Sequence, residues 1–293
     1  MPPRRYDTDI TLLLEGTYPF VRGGVSGWVH QLIEGLPELS FALVYLGAER
    51  PDREDIRYPL PPNVQSLTCH YLMDGVAISE TKVRPGDPAY FSASAKLHAW
   101  FRSPEGEPEP EWLDRVLLQE GQPEGACTRD FFHSKAAWTH ISESYARQCP
   151  DASFQAYFWS VRNMHMPLMK LAEIARTVSP SRVFHSVTTG YAGLLGAMLK
   201  QLSGRPLILT EHGIYTKERK LELQSMFLRE QHGSFTHPSG DGMEHYNQAW
   251  IRMFEGIGRL VYAAADPIIT LYEQNRLRQV RDGADAARTR IIP

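Results

Sequence analysis

Cysteine is scarce in this chain: 293 residues hold three, Cys69, Cys127 and Cys149. They stand far apart and form no C-x-x-C pair, so neither a disulfide framework nor a cysteine-built metal site is written into the sequence, and they read as reduced thiols of a cytosolic protein. Long apolar runs are also missing. Nowhere do about 18 uninterrupted apolar residues occur, so no segment reads as a membrane span. The basic start, with Arg4 and Arg5, leads to Asp7 and Asp9 instead of an apolar stretch, which excludes a secretory signal. Nor is there an excess of one charge. With 31 basic and 34 acidic side chains the net charge is −3, so no global field recruits nucleic acid or an anionic membrane, and any anion site has to be local. Both familiar nucleotide motifs are absent. Gly23-Gly24-x-x-Gly27 begins nine residues beyond Leu14, whereas a dinucleotide fingerprint follows its strand at once, and Trp28-Val29 occupies the place where a P-loop needs Lys and then Ser or Thr.

What is present is an ordinary globular composition, 42% hydrophobic and 11% aromatic, ample for one large α/β core or two modest ones. Residues 10–14 form an apolar run of strand length. A loop ending in Arg22-Gly23-Gly24 follows, then Val25, Trp28, Val29, Leu32, Ile33 and Leu36 recur at helical spacing, and residues 41–46 read as the next strand. This is one βαβ unit with a long first turn. Gly23 and Gly24 carry no Cβ, so their amides can meet an anion closely at a helix start, and Arg22 adds a full charge beside them; a plain turn is the simpler alternative.

Residues 63–71 make a third strand, after which the pattern changes. About 88–178 reads as a helical insertion with candidate helices over 111–120, 129–149 and 152–178, broken by a Pro- and Glu-rich loop at 104–110 and by 121–125. The aromatic and methionine run from Phe154 to Met169 reads as the insertion's core, with a partner groove as the lesser reading. Alternation then resumes: strands over 182–187, 206–211, 267–271 and from 290, with helices over 191–202, 217–231, 243–264 and from 272. Seven strands alternating with helices predict an α/β fold, a Rossmann-like, mostly parallel, doubly wound sheet carrying a helical insertion, with residues 1–293 as a single domain. Ligands of such sheets bind outside the carboxyl ends of the strands.

Three strand ends carry candidate chemistry. Besides the glycine loop, His185 to Tyr191 follows a buried-looking strand, and there Thr188 or Thr189 is either a helix cap or a ligand contact. The third is Thr210 to Arg219, where His212 at a strand end precedes a glycine and is followed by Tyr215, Lys217 and Arg219. His232, His237 and His245 lie near Asp241 and Glu244, but their spacing fits no common zinc motif, so no metal and no cofactor are expected. Glu49, close to the second strand's end, is the only support for a dinucleotide oxidoreductase.

The loop Glu15 to Ser26, the segment Thr210 to Arg219, and Ala264-Ala265-Asp266-Pro267-Ile268-Ile269 followed by Ile291-Ile292-Pro293 together resemble the N-terminal half of a family 4 glycosyltransferase, of the type serving bacterial Pel exopolysaccharide synthesis. The resemblance covers nearly the whole chain. It implies half of a GT-B fold, the acceptor-side Rossmann-like domain, and a retaining transfer from a UDP-sugar to a carbohydrate acceptor. It also implies a cytoplasmic location, peripheral at the inner membrane through polysaccharide synthase subunits. By that resemblance Arg22, Gly23 and Gly24 meet the donor diphosphate, and His212 positions the transferred sugar with no nucleophile required. Tyr18, His185, Thr188, Tyr215 and Arg219 then belong to the sugar and acceptor side. Since the family pattern continues past Ile-Pro into a donor-binding domain, the chain is expected to hold half of an active site. A non-catalytic phosphosugar-binding or scaffold module on the same fold is the alternative.

Overall fold

The computed structural model describes residues 7–51, 55–74, 83–103, 106, 108–119, 126–149, 153–233 and 241–293, with backbone alone over 226–233 and 241–245. The chain divides into two compact units. Met1–Asp74, Ile174–Tyr215 and Ile257–Pro293 make the first, and Gly75–Glu173 with Thr216–Gly256 the second.

The first unit is built on one sheet. Its strands are β1 (Thr8–Glu15), β2 (Phe41–Gly47), β3 (Val64–Tyr71), β4 (Ser181–Ser186), β5 (Leu207–Glu211), β6 (Ile268–Thr270) and β7 (Thr289–Ile291), in the order β3-β2-β1-β4-β5-β6-β7. Every pairing is parallel. A parallel sheet is covered on both faces, which is why the sequence FALVYLG of β2 is buried at all of its positions and shows no alternation. Helices α1 (Gly24–Gly35), α7 (Tyr191–Ser203) and α10 (Glu273–Arg281) complete the alternation. Leu12, Leu14, Val29, Ile33, Phe41 and Leu43 are fully buried together and form a core between β1, β2 and α1. All seven expected strands are present. From β1 the chain winds outward through β2 and β3, then returns to place β4 on the other side of β1, so strand order reverses between β1 and β4. That reversal opens a crevice at the carboxyl ends.

The second unit is helical. It contains α2 (Pro88–Arg102), the short α3 (Pro110–Leu113) running into a π-helical turn over Asp114–Leu118, α4 (Ala126–His133) and α5 (Lys135–Gln148). Most of α6 (Phe154–Ala175), α8 (Tyr215–Gly233) and α9 (Asp241–Ala264) also belongs to it. It therefore draws on Thr216–Gly256 as well as on the 88–178 stretch. The single helix expected over 129–149 is two, because the Ser134 hydroxyl accepts from Ala137 N at 3.0 Å and starts a new helix in mid-run. The expected 111–120 helix is α3 and its π turn. Helix α2, unread as a separate element, carries its own start signal: Asp87 accepts from the Ala89 amide and Pro88 opens the first turn. The core of this unit joins Tyr90, Phe91, Phe131, Ile141, Tyr157 and Met169, so the aromatic and methionine run is packing. Residues 121–125 lie outside the described residues. Among those described, no helix is long and apolar enough to cross a membrane.

Candidate ligand-binding crevice at the switch point

Loops after β1, β4 and β5 leave the same edge of the sheet, since the three strands are parallel neighbours. Glu15 ends β1 and reaches across the switch point. Its Oε2 accepts from the Ala192 amide at 3.1 Å, in the first turn of α7, and its Oε1 accepts from the Tyr215 hydroxyl at 2.9 Å. One carboxylate thus fills the start of α7, where exposed amides and the helix dipole would otherwise attract an anion. The backbone must come close for this. A Cβ on Gly190, the residue before α7, would lie 2.5 Å from Glu15 Oε2 and 2.6 Å from the Tyr215 ring.

The start of α1 is the opposite case. Gly23 precedes it without any side-chain cap bond, and no acidic residue stands in the first turn. Arg22, Gly23 and Gly24 are exposed. Gly23 has an extended backbone, φ 172°, that any residue adopts. A Cβ at Gly23 or Gly24 would touch nothing within 4 Å. Neither dihedral strain nor packing against the described residues accounts for the two glycines, and open space in front of an uncapped helix start is what remains.

One turn along α1, Trp28 reaches the other two strand ends. Its ring meets His212 edge-on with centroids 4.8 Å apart and His185 at 6.0 Å. His185 is buried, its Nε2 2.9 Å from the Thr210 hydroxyl, and burial with the nearby His212 lowers its pKa to about 4. It is a neutral, engaged ring. His212 is half-buried, and desolvation lowers its pKa. Its Nε2 is buried without a hydrogen-bond partner among the described residues. The loop that carries it is pinned at the His212 carbonyl, which accepts from Asn275 Nδ2 at 3.2 Å.

Beneath this loop lies Glu211, fully buried. Its carboxylate accepts from the hydroxyls of Tyr262 (2.7 Å) and Thr189 (2.9 Å), from Gln279 Nε2 (3.0 Å) and from the Tyr215 backbone. Burial raises its pKa even though these donors oppose the shift. Four donors on one carboxylate tie the loop after β4 and the start of α8 to β5, α9 and α10. Sequence reading passed over Glu211 and Glu15, and counted Trp28 only as an apolar helix position. An acidic residue at the last position of a strand, twice over, was the available signal.

The remaining expected site residues are engaged within the protein. Tyr18 is fully buried, its hydroxyl 3.2 Å from His30 Nδ1 and its ring against Tyr58, so it supports the loop from below. Thr188 is half-buried, and its hydroxyl accepts from the Gly190 amide at 3.1 Å, so it shapes the turn before α7. Tyr215 faces Glu15 through its hydroxyl. Arg219 belongs to the helical unit, where it pairs with Glu222 and lies over the Phe254 ring at 5.2 Å. The structure therefore brings His185 and His212 against Trp28, one turn along α1 from Gly24. Among the described residues no group of His, Cys, Asp or Glu is placed to hold a metal ion. The side chains of His232, His237 and His245 lie outside the described residues.

A family model described as a domain of unknown function, DUF3492, matches residues 8–287. No curated protein matches the chain.

Proposed function

The chain belongs to the DUF3492 family, and from its crevice we propose that it serves as the acceptor-side, Rossmann-like half of a retaining glycosyltransferase, transferring a sugar from a UDP-sugar to a growing exopolysaccharide. The observation that carries this reading is the contrast between two helix starts at one switch point. That of α7 is filled by Glu15, while that of α1 is uncapped, glycine-lined and beside Arg22. An anion with a diphosphate's charge and spread matches the second and is repelled by the first. His212, with an unpartnered Nε2 one helical turn away, is suited to hold a sugar hydroxyl next to that diphosphate.

In this reading the chain provides position and electrostatics. Arg22 and the amides at Gly23 and Gly24 stabilise charge developing on the leaving diphosphate. His212, kept neutral by desolvation, orients the sugar through a hydrogen bond without adding charge. Trp28 and the Glu211 network hold both in register. Carbohydrate acceptor and inner-membrane synthase subunits are the partners this role requires, at the cytoplasmic face. A non-catalytic phosphosugar-binding module is the second reading, favoured by the engagement of Tyr18, Tyr215 and Arg219 within the protein.

Sugar transfer from a panel of UDP-hexoses, assayed on the intact protein, separates the two. Gly24→Val and His212→Ala are expected to lower turnover by about a hundredfold, or roughly 2–4 kcal/mol each. The thermal midpoint should stay unchanged for Gly24→Val, because the added side chain enters open space. Near-normal turnover in both variants removes these loops from the donor site. Saturable UDP-sugar binding without any turnover in the wild type favours the module.

A further inference from the structure

Within the helical unit, α2, α5, α6 and α9 enclose a cavity of ≈ 810 Å³. It is unusual in its charge. Arg102, Arg147 and Arg252 line it with His98, His140 and His165, and no Asp or Glu does. Among the described residues none of the three arginines has a carboxylate within ion-pair distance. Arg252 Nη1 instead donates to the Arg102 backbone carbonyl at 2.6 Å, which fixes the Arg252 guanidinium at the end of α2. Like charges gathered around a concavity without a counter-ion repel one another unless an anion joins them.

We propose that this cavity is a binding site for a small organic phosphate, the phosphate held by Arg102, Arg147 and Arg252 and its aromatic or apolar body resting against Phe101, Met164 and Met253. The three arginines are exposed at the outer rim, whereas His165 is buried at the floor and His98 half-buried beside it. His165 is neutral and engaged: its Nδ1 donates to the Val161 carbonyl at 2.8 Å and its Nε2 is 3.0 Å from the Ser94 hydroxyl. Burial lowers the pKa of His140 and His98 as well. The positive charge is therefore the arginines' alone. Three guanidiniums suit a dianionic phosphate, whose oxygens accept from their planar forks, better than a single carboxylate. The cavity's size lies within the usual range for small-molecule sites, about 300–1,000 Å³. Beside the floor, His98 Nε2 is buried with no hydrogen-bond partner among the described residues, and its ring lies tilted against that of His165 with centroids 4.5 Å apart. It can bond a polar group on the ligand's body.

This site belongs to the helical unit and does not depend on the crevice reading. Calorimetry of the full chain with phenyl phosphate, inorganic phosphate and benzoate tests it. Phenyl phosphate is expected to bind saturably and about tenfold or more tighter than either of the others. Arg102→Ser and Arg147→Ser should each weaken it by about tenfold at an unchanged thermal midpoint, as loss of a charge-assisted hydrogen bond implies. Gly24→Val should leave this affinity as it is. Absence of saturable binding overturns the proposal, as does benzoate binding as tightly as phenyl phosphate. Affinity lost in Gly24→Val and retained in both arginine variants would equally overturn it.

Discussion

Gly190 and Gly24 are both glycines at helix starts, yet they serve opposite needs. At Gly190 the space is taken: a Cβ would lie 2.5 Å from Glu15 Oε2 and 2.6 Å from the Tyr215 ring, and both partners are already hydrogen-bonded to each other. Gly190→Ala is therefore expected to push β1's last side chain off the start of α7. Overpacking of this kind costs about 1–3 kcal/mol. A lowered midpoint in urea, with loss of transfer activity in parallel, is the expected result, and an unchanged midpoint would mean that Glu15 is not confined there. At Gly24 the same addition meets nothing, so the two positions form a matched pair: one variant reads the fold and the other the ligand. Both glycines could be picked out in the sequence as turn residues. Which one faced open space could not, because that depends on Glu15, 177 positions from its amide partner Ala192.

Helix α7 has no side-chain cap from its own segment, and a strand supplies the missing acceptor. Thr188, a natural cap by type, instead accepts from Gly190 one step too early, and Thr189 turns down to Glu211. Replacing Glu15 by Gln keeps the shape but removes the charge from a partly buried helix start. The expected loss is about 1–2 kcal/mol. Urea denaturation should show a lower midpoint with an unchanged slope, and an unaltered midpoint would show that the dipole interaction is negligible here. Strand and helix assignments were legible because apolar runs and 3.6-residue periodicity are local properties. The break at Ser134 was also legible in principle, as a serine inside an amphipathic run. The second helical stretch, Thr216–Gly256, was read correctly as helix and kept with the alternating elements, because nothing local marks the unit to which a helix belongs.

For the whole molecule, histidines whose pKa desolvation lowers set the response to acid. His165 and His185 are held to about 4 by burial, and His98 well below its ordinary value for the same reason. A histidine depressed in the fold takes up its proton more readily when unfolded, so its contribution is complete above the ordinary value of 6.5 and is lost as pH falls from there toward 4. Glu211 works the other way, since its raised pKa adds stability at low pH that is lost as pH rises. Three histidines outweigh one carboxyl. The thermal midpoint is expected to be level between pH 7 and 8 and to fall steadily from about pH 6.5 to pH 4. A midpoint independent of pH over that interval would show that these rings are protonated in the native state.

By itself the sequence determined the count and alternation of the strands, the glycine loop after the first, and the histidine after the fifth, because each rests on neighbours along the chain. The tertiary structure decided the order β3-β2-β1-β4-β5-β6-β7 and, with it, which loops share an edge. It alone set Trp28 against His185 and His212, closed one helix start with Glu15, and gathered Arg102, Arg147 and Arg252 from three helices with no counter-ion among the described residues. Residues far apart in sequence meet only when buried surfaces have found each other. What a charge or a ring does is then decided by the neighbours that packing supplies.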